Sequence, residues 1–320
     1  MNSSNSQLER QIMHSTKPLQ KFMTMNGVTD IMVNPDGRIW IDHIDDGMYD
    51  TGETIEASHA EDIGRLCASS VGDELTPKKP SFGGLLPTFQ TRIQIKIPPI
   101  VSAPTITIRI PDKRVFTLDN YLELEILSNK QMMVLKQAVK EEKNILVVGG
   151  TGSGKTFLTK AILVEIAKYK RRLYIVEDTP ELDYPHPNCH MVLAKRNAKE
   201  GEYGFLDALA DALRDRPDSI IFGEVRDGAA LDLMKAWNTG HNGGVCTIHS
   251  NTASSGVIRL MSLIEERVVN APVNEILEAI DFVVCIKRDK RHISNRVVTE
   301  IVEIQGYDRA KDKWSLKTIG

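Results

Sequence analysis

Long apolar runs are missing from this chain of 320 residues. Nothing in it approaches the roughly 20 consecutive apolar residues of a membrane-spanning helix. The polar stretch from Met1 to Arg10 has no signal-peptide core. Cysteine is scarce as well. Cys67, Cys189, Cys246 and Cys285 stand far apart with no C-x-x-C pair, which argues against disulfides and a zinc site and fits a reducing cytoplasm. Neither sign of charge dominates: 40 Lys and Arg stand against 43 Asp and Glu, a net charge of −3, and aromatics make up only 6%. That balance gives no overall basic field, so direct nucleic-acid binding is not expected. Repeats and low-complexity tracts are also absent. What remains is an ordinary globular composition, 41% hydrophobic and 26% charged, in a chain long enough for two cores.

What is present centres on Gly149-Gly150-Thr151-Gly152-Ser153-Gly154-Lys155-Thr156. An apolar run, Ile145 to Val148, precedes it, and Leu158, Ala161, Ile162 and Ile166 follow at helical spacing. This is strand, glycine-rich turn and helix, and it fits G-x-x-x-x-G-K-[ST] at every position. The glycines let backbone N–H groups turn in around a phosphate chain, and the new helix adds unsatisfied amides and its positive dipole end. Lys155 can reach the β- and γ-phosphates, and the Thr156 hydroxyl can ligate Mg²⁺. A flexible Gly/Ser turn is the bland alternative, and the flanking strand and helix disfavour it. The expected ligand is a nucleoside triphosphate.

The segments before the motif predict a smaller α+β domain. Residues 1–20 read as a flexible polar lead-in with one short helix around Leu8 and Ile12. Thr29–Val33 and Arg38–Ile41 flank Asn34-Pro35-Asp36-Gly37 and predict a hairpin. Ser58 with Glu61 reads as a capping box for a helix over 58–71. Residues 76–90 are rich in Pro, Gly and Lys and read as loop. Ile93, Ile95 and Ile97, then Ile106, Ile108 and Ile110, alternate with polar residues and predict two strands with one apolar face each. The expected domain spans 21–110, and an ordered linker spans 111–127.

From residue 128 to 320 the pattern is α/β. Ser128 and Gln131 form a second capping box. Strands at 145–148, 172–176, 189–193, 219–223 and 244–248 alternate with helices, which predicts a largely parallel sheet covered by helices. Ligand residues then belong at the carboxyl ends of those strands. Glu177, Asp178 and Glu181 follow one strand, either as a metal or water site or as a solvated acidic turn. Glu224 follows another, where a carboxylate can hold the shell of Mg²⁺ or orient attacking water, and Gly223 permits close approach beside it. Asp227 reads as the N-cap of the next helix. His249 ends a further strand after Gly240, Gly243 and Gly244, and can donate a hydrogen bond to a γ-phosphate or serve as a satisfied polar residue.

These four boxes, GGTGSGKT, VEDTPEL, ALRDRPDSIIFGEVRD and TGHNGG…TIHSNTA, occur in the order and spacing of the secretion traffic ATPases. The chain resembles the type IV secretion branch of that superfamily, and within it the ATPases of conjugative plasmid transfer. The resemblance implies a RecA-like P-loop ATPase domain, α/β, preceded by the smaller N-terminal domain. It implies ATP and Mg²⁺ as ligands, the metal held by Thr156 and, partly through water, by Glu224. It also implies a homo-hexameric ring that is cytoplasmic, peripheral to the inner membrane and engaged with the inner-membrane components of a secretion channel. Glu177 and Glu224 are implied to handle water and Mg²⁺, and His249 to sense the γ-phosphate. The four-cysteine zinc insert of type II secretion relatives is absent, although pilus-retraction motors lack it too. A RecA-like DNA translocase and a scaffold without turnover are the competing readings.

The arginines divide. Arg109, on the polar face of the last N-terminal strand, with Lys113 and Arg114 beyond it, is either a charged strand edge or, as the resemblance implies, a cation that closes over the nucleotide. Arg214, Arg216 and Arg226 have Asp215, Asp218 and Asp227 nearby and read as structural.

Overall fold

Alternating isoleucines build the first of two sheets in this computed structural model, which describes residues 3–44, 46–86, 89, 91–110, 114–195, 198–311 and 313–320. In chain order its first unit, Met1–Arg114, comprises α1 (Ser3–Ser15), α2 (Lys17–Met23), β1 (Val28–Val33), β2 (Arg38–His43), β3 (Gly47–Thr54), α3 (Ala57–Ser70), β4 (Ser81–Leu86), β5 (Thr91–Lys96) and β6 (Thr105–Arg109). The strands form one antiparallel sheet ordered β3-β2-β1-β6-β5-β4. Ile93, Ile95, Ile106 and Ile108 are buried on one face with Ile31, Ile39 and Ile41, and Ile63 and Cys67 of α3 complete that core. Each fully buried side chain of this size contributes about 1.5–3 kcal/mol.

Three sequence expectations change here. Of the expected lead-in, residues 3–20 are not loose: Ile12 and Leu19 are buried in this core, and the His59 ring meets the Ser15 carbonyl at 2.8 Å. A few apolar side chains suffice to anchor an otherwise polar helix. Residues 81–86 are a strand rather than loop, and its Gly83-Gly84 pair hid the alternation. A Cβ at Gly83 would stand 2.6 Å from Gln94 Oε1 on the neighbouring strand. Pro87, Thr88 and Gln90 of the expected loop lie outside the described residues. The Ser58–Glu61 box does not form, because α3 begins at Ala57 after Glu56 and no side chain caps it.

The second unit, Val115–Gly320, comprises α4 (Leu118–Glu123), α5 (Asn129–Lys140), β7 (Ile145–Gly149), α6 (Lys155–Ala167), β8 (Leu173–Glu177), β9 (Cys189–Leu193), α7 (Phe205–Ala212), β10 (Ser219–Phe222), α8 (Ala230–Asn238), β11 (Val245–His249), α9 (Ala253–Glu265), α10 (Val273–Ala279), β12 (Phe282–Arg288), β13 (Arg296–Asp308) and β14 (Lys313–Thr318). Its sheet runs β14-β13-β12-β7-β11-β10-β8-β9. From β12 to β9 all neighbours are parallel, and β13 and β14 add an antiparallel edge. β7 is central and buried on both faces. Leu146 and Val148 pack toward α7, α8, α9 and α10, while Ile145 and Val147 pack toward α4, α5 and α6. A continuous apolar run in a helix-covered parallel strand is split by its pleat into two cores.

The expected linker largely belongs to this unit. Thr117 and Asn120 form a capping box for α4, and Leu118, Tyr121, Ile126 and Leu127 are buried in the core beneath it. Pro111, Asp112 and Lys113 lie outside the described residues. The Ser128–Gln131 box does form, with Gln131 Nε2 also donating to the Val298 carbonyl at 3.1 Å.

Candidate active site

β7 ends at Gly149, and the chain turns through Gly150–Gly154 into α6. Sterics dictate the glycines. Gly152 has φ +68° and Gly154 φ +100°, left-handed values that cost any other residue strain. A Cβ on Gly149 would come within 2.4 Å of both the Ile286 carbonyl oxygen and Ser153 Oγ. Lys155, the first residue of α6, is buried and folds back over the loop. Its Nζ donates to the carbonyls of Gly149 at 2.9 Å and Gly150 at 3.1 Å, and lies 3.2 Å from His249 Nδ1. Burial lowers the pKa of this ammonium, Glu224 opposes that shift, Arg226 adds to it and Glu181 opposes it.

Three neighbouring strand ends supply the rest. His249 closes β11, directly beside Gly149 in the register. Its Nε2 lies 2.8 Å from Glu224 Oε1. The Lys155 ammonium can only donate, so Nδ1 is the accepting atom of that contact, and Nε2 faces the Glu224 carboxylate. Lys155, His249 and Glu224 therefore form one polar chain. The other Glu224 oxygen pairs with the Arg226 guanidinium. Thr247 Oγ1 donates to the Gly223 carbonyl at 2.7 Å and the Val225 amide to the Thr247 carbonyl at 2.9 Å, so β11 holds the turn that carries Glu224.

The two glutamates after β8 differ. Glu177 is buried, and its Oε1 accepts from the amides of Glu181 at 3.1 Å and Leu182 at 2.9 Å. Desolvation dominates its titration and pushes the carboxyl up to about 8, although the two amides and Lys160 pull the other way. Glu181 instead faces the phosphate loop, its Oε2 accepting from Thr156 Oγ1 at 3.3 Å. A cavity of about 430 Å³ opens beside the loop, lined by Thr151, Val225, Arg226, His249 and Arg259.

A phosphate loop with a lysine, a histidine and a carboxylate converging from adjacent parallel strands is the arrangement that the sequence resemblance anticipated. The family model for type II/IV secretion system proteins matches residues 13–313. The chain belongs to that family. It is 40% identical over 282 residues to the conjugal transfer protein TrbB of Rhizobium radiobacter, covering 88% of this chain and 84% of the relative. It is 31% identical over 291 residues to the type IV secretion system protein VirB11 of Bartonella quintana, covering 80% and 81%. The X-ray structure of the Yersinia pseudotuberculosis ATPase DotB shares the fold, with a TM-score of 0.62, 21% identity and coverage of 90% of this chain and 78% of that one.

Within this family member the structure gathers Gly149–Thr156, Glu224 and His249 at one place and sets Glu177 behind them. Arg109 and Arg114 belong to the other unit. There Arg109 stands opposite Asp30 in the register of β6 and β1 and offsets the burial that raises the Asp30 pKa. Asp227 is not the N-cap of α8: Ala229 holds that position, and Asp227 accepts from its amide at 2.9 Å. Arg226 lines the cavity instead of pairing with a neighbouring aspartate. Arg226, read from the sequence as structural, and Arg259, which the sequence did not single out, both line the cavity, and Glu181 rather than Glu177 meets Thr156. The one available signal was the third carboxylate of VEDTPEL, four residues beyond the strand end.

Proposed function

We propose that this chain hydrolyses ATP to ADP and phosphate and drives type IV secretion, in conjugative pilus assembly and DNA transfer. The observation that carries the reading is the continuous polar chain from Lys155 through His249 to Glu224 at the mouth of the phosphate loop. Backbone amides at the start of α6 receive the phosphates, and Lys155 exchanges its carbonyl partners for phosphate oxygens. Glu224 polarises the attacking water, and His249, within 3.2 Å of Lys155 and 2.8 Å of Glu224, reports whether a γ-phosphate is present. The hard oxygens of Thr156 and Glu181 suit Mg²⁺, which takes one or two protein oxygens beside substrate phosphates and keeps several waters. When bound, the metal would neutralise charge that develops on the phosphates. Glu224 would reach the metal through water.

The wider proposal is a homo-hexamer on the cytoplasmic side of the inner membrane, held there by channel components. No helix among the described residues is long and apolar enough to cross a membrane, which fits attachment through partners. Phosphate release by Lys155→Ala and Glu224→Gln variants, with and without single-stranded DNA, tests the reading. Turnover that is lost in both variants and indifferent to DNA supports it. Hydrolysis that requires DNA would favour a translocase, and wild-type protein that binds without turnover would favour a scaffold.

A further inference from the structure

The flank of the phosphate loop away from Glu224 carries an arginine close to the turn. Arg296 opens β13, and a Cβ built on Gly154 would stand 3.0 Å from its Nη1 and 3.4 Å from its Cδ. The guanidinium therefore lies against the turn that starts α6. It also sits 6.0 Å from the centroid of the Phe157 ring, at the reach of a cation–π contact. Across the hairpin Arg296 faces Arg288 in the register, and like charges directly opposite repel. The first turn of α6 adds unpaired amides and a positive dipole end. Among the described residues no carboxylate pairs with either arginine, since Asp289 of the same hairpin is taken by Arg291. Arg296 and the N-terminal end of α6 thus bring positive potential to one half-buried spot, with no carboxylate paired to that arginine among the described residues.

The sheet order says which part of a nucleotide that spot would meet. β7 lies between β11 and β12. Glu224, His249 and Glu181 are all on the β11, β10 and β8 side, which the reading above assigns to the γ-phosphate. Arg296 is on the β12 and β13 side.

We infer that Arg296 is a second phosphate-binding cation, holding the α end of the nucleotide's phosphate chain while Lys155 holds the β–γ end. This rests on the ATPase reading. A guanidinium can bind a phosphate through two parallel hydrogen bonds, which an ammonium cannot reproduce. Phe157 lies beside the guanidinium.

Calorimetric titration of ATP, ADP and inorganic tripolyphosphate into the full chain tests the assignment, using wild type, Arg296→Ala and Arg296→Lys, with thermal unfolding of each nucleotide-free variant. Loss of about tenfold or more in affinity is expected for all three ligands in Arg296→Ala, the scale of one charge-assisted bond. Arg296→Lys should recover part of it. The nucleotide-free melting temperature should stay level or rise, because an unpaired cation leaves the positive end of α6. Arg296→Ala with ATP affinity within twofold of wild type overturns the inference. So does weakened ATP binding with unchanged tripolyphosphate binding, which would assign Arg296 to the base. Wild-type protein that takes up none of the three overturns the ATPase reading together with this one.

Discussion

The two flanks of the phosphate loop are built from opposite materials. On the β11 side, carboxylates, a histidine and Arg226 lie within ion-pair or hydrogen-bond distance of one another. On the β13 side, Arg296 stands over the α6 turn beside Phe157 without an acid. The contrast follows from the work each flank is proposed to do. A side that activates water needs groups whose protonation is held by neighbours. A side that only grips phosphate needs fixed positive charge, and arginine supplies it at any pH.

The largest effect should come from the residue that spans both flanks. Lys155→Ala is expected to reduce phosphate release by about 10³-fold or more and to weaken ATP binding, because the one motif lysine is lost from the developing charge. Near-normal turnover in that variant would mean the site lies elsewhere.

The acidic flank can be dissected next. Glu181→Gln should lower the rate by about 10- to 100-fold and raise the Mg²⁺ concentration needed for half-maximal activity, as befits a group beside the metal-binding hydroxyl. A magnesium titration of the ATPase rate reads both. Glu177→Gln should be mild by comparison, with a rate within about threefold of wild type. Burial already pushes the Glu177 carboxyl up to about 8, so a neutral isostere resembles its state at neutral pH. If the two variants exchanged these phenotypes, the assignment of the two glutamates would have to be reversed.

The smallest effect separates the two units. Asp30 has its pKa raised by burial, against which Arg109 acts. Removing Arg109 raises that pKa further, so the folded state is penalised once Asp30 must ionise. The penalty is absent below the ordinary aspartate value and grows as pH rises through the folded one. Arg109→Ala should therefore melt lower than wild type at pH 7 but nearly level with it at pH 4, a deficit below about 1 kcal/mol for a partly solvated pair. Its ATPase rate, measured on the same samples, tests the proposed catalytic part of Arg109, with Arg114→Ala alongside. A large loss of rate with that small change in stability supports such a part, whereas an unchanged rate leaves Arg109 as the partner of Asp30.

The phosphate loop was legible in the sequence because each of its glycines answers a backbone demand that no other residue meets at low cost. The isoleucine alternation of β5 and β6 was equally plain, since a period of two has no helical reading. Glu224 and His249 were placed differently, at the carboxyl ends of continuous apolar strands, where a parallel sheet binds ligands. Choosing between Glu177 and Glu181 was beyond the sequence, because that depends on the path of a turn rather than on a period. β4 was masked by Gly83 and Gly84, and α1 by a composition whose few anchors are outnumbered by polar residues. Arg296 was invisible for another reason. It meets Gly154 only because β12 pairs with β7 and brings the hairpin to the loop, and no local pattern encodes that pairing.

The central claim is that the chain from Lys155 through His249 to Glu224 is catalytic rather than structural. Parallel measurement of ATP affinity and single-turnover hydrolysis in Glu224→Gln tests it most directly. The account predicts affinity within about threefold of wild type and hydrolysis slower by about 10²-fold or more, the scale of lost acid–base assistance. Affinity and hydrolysis that collapse together, with a lowered melting temperature, would contradict it and make Glu224 a structural partner of His249 and Arg226.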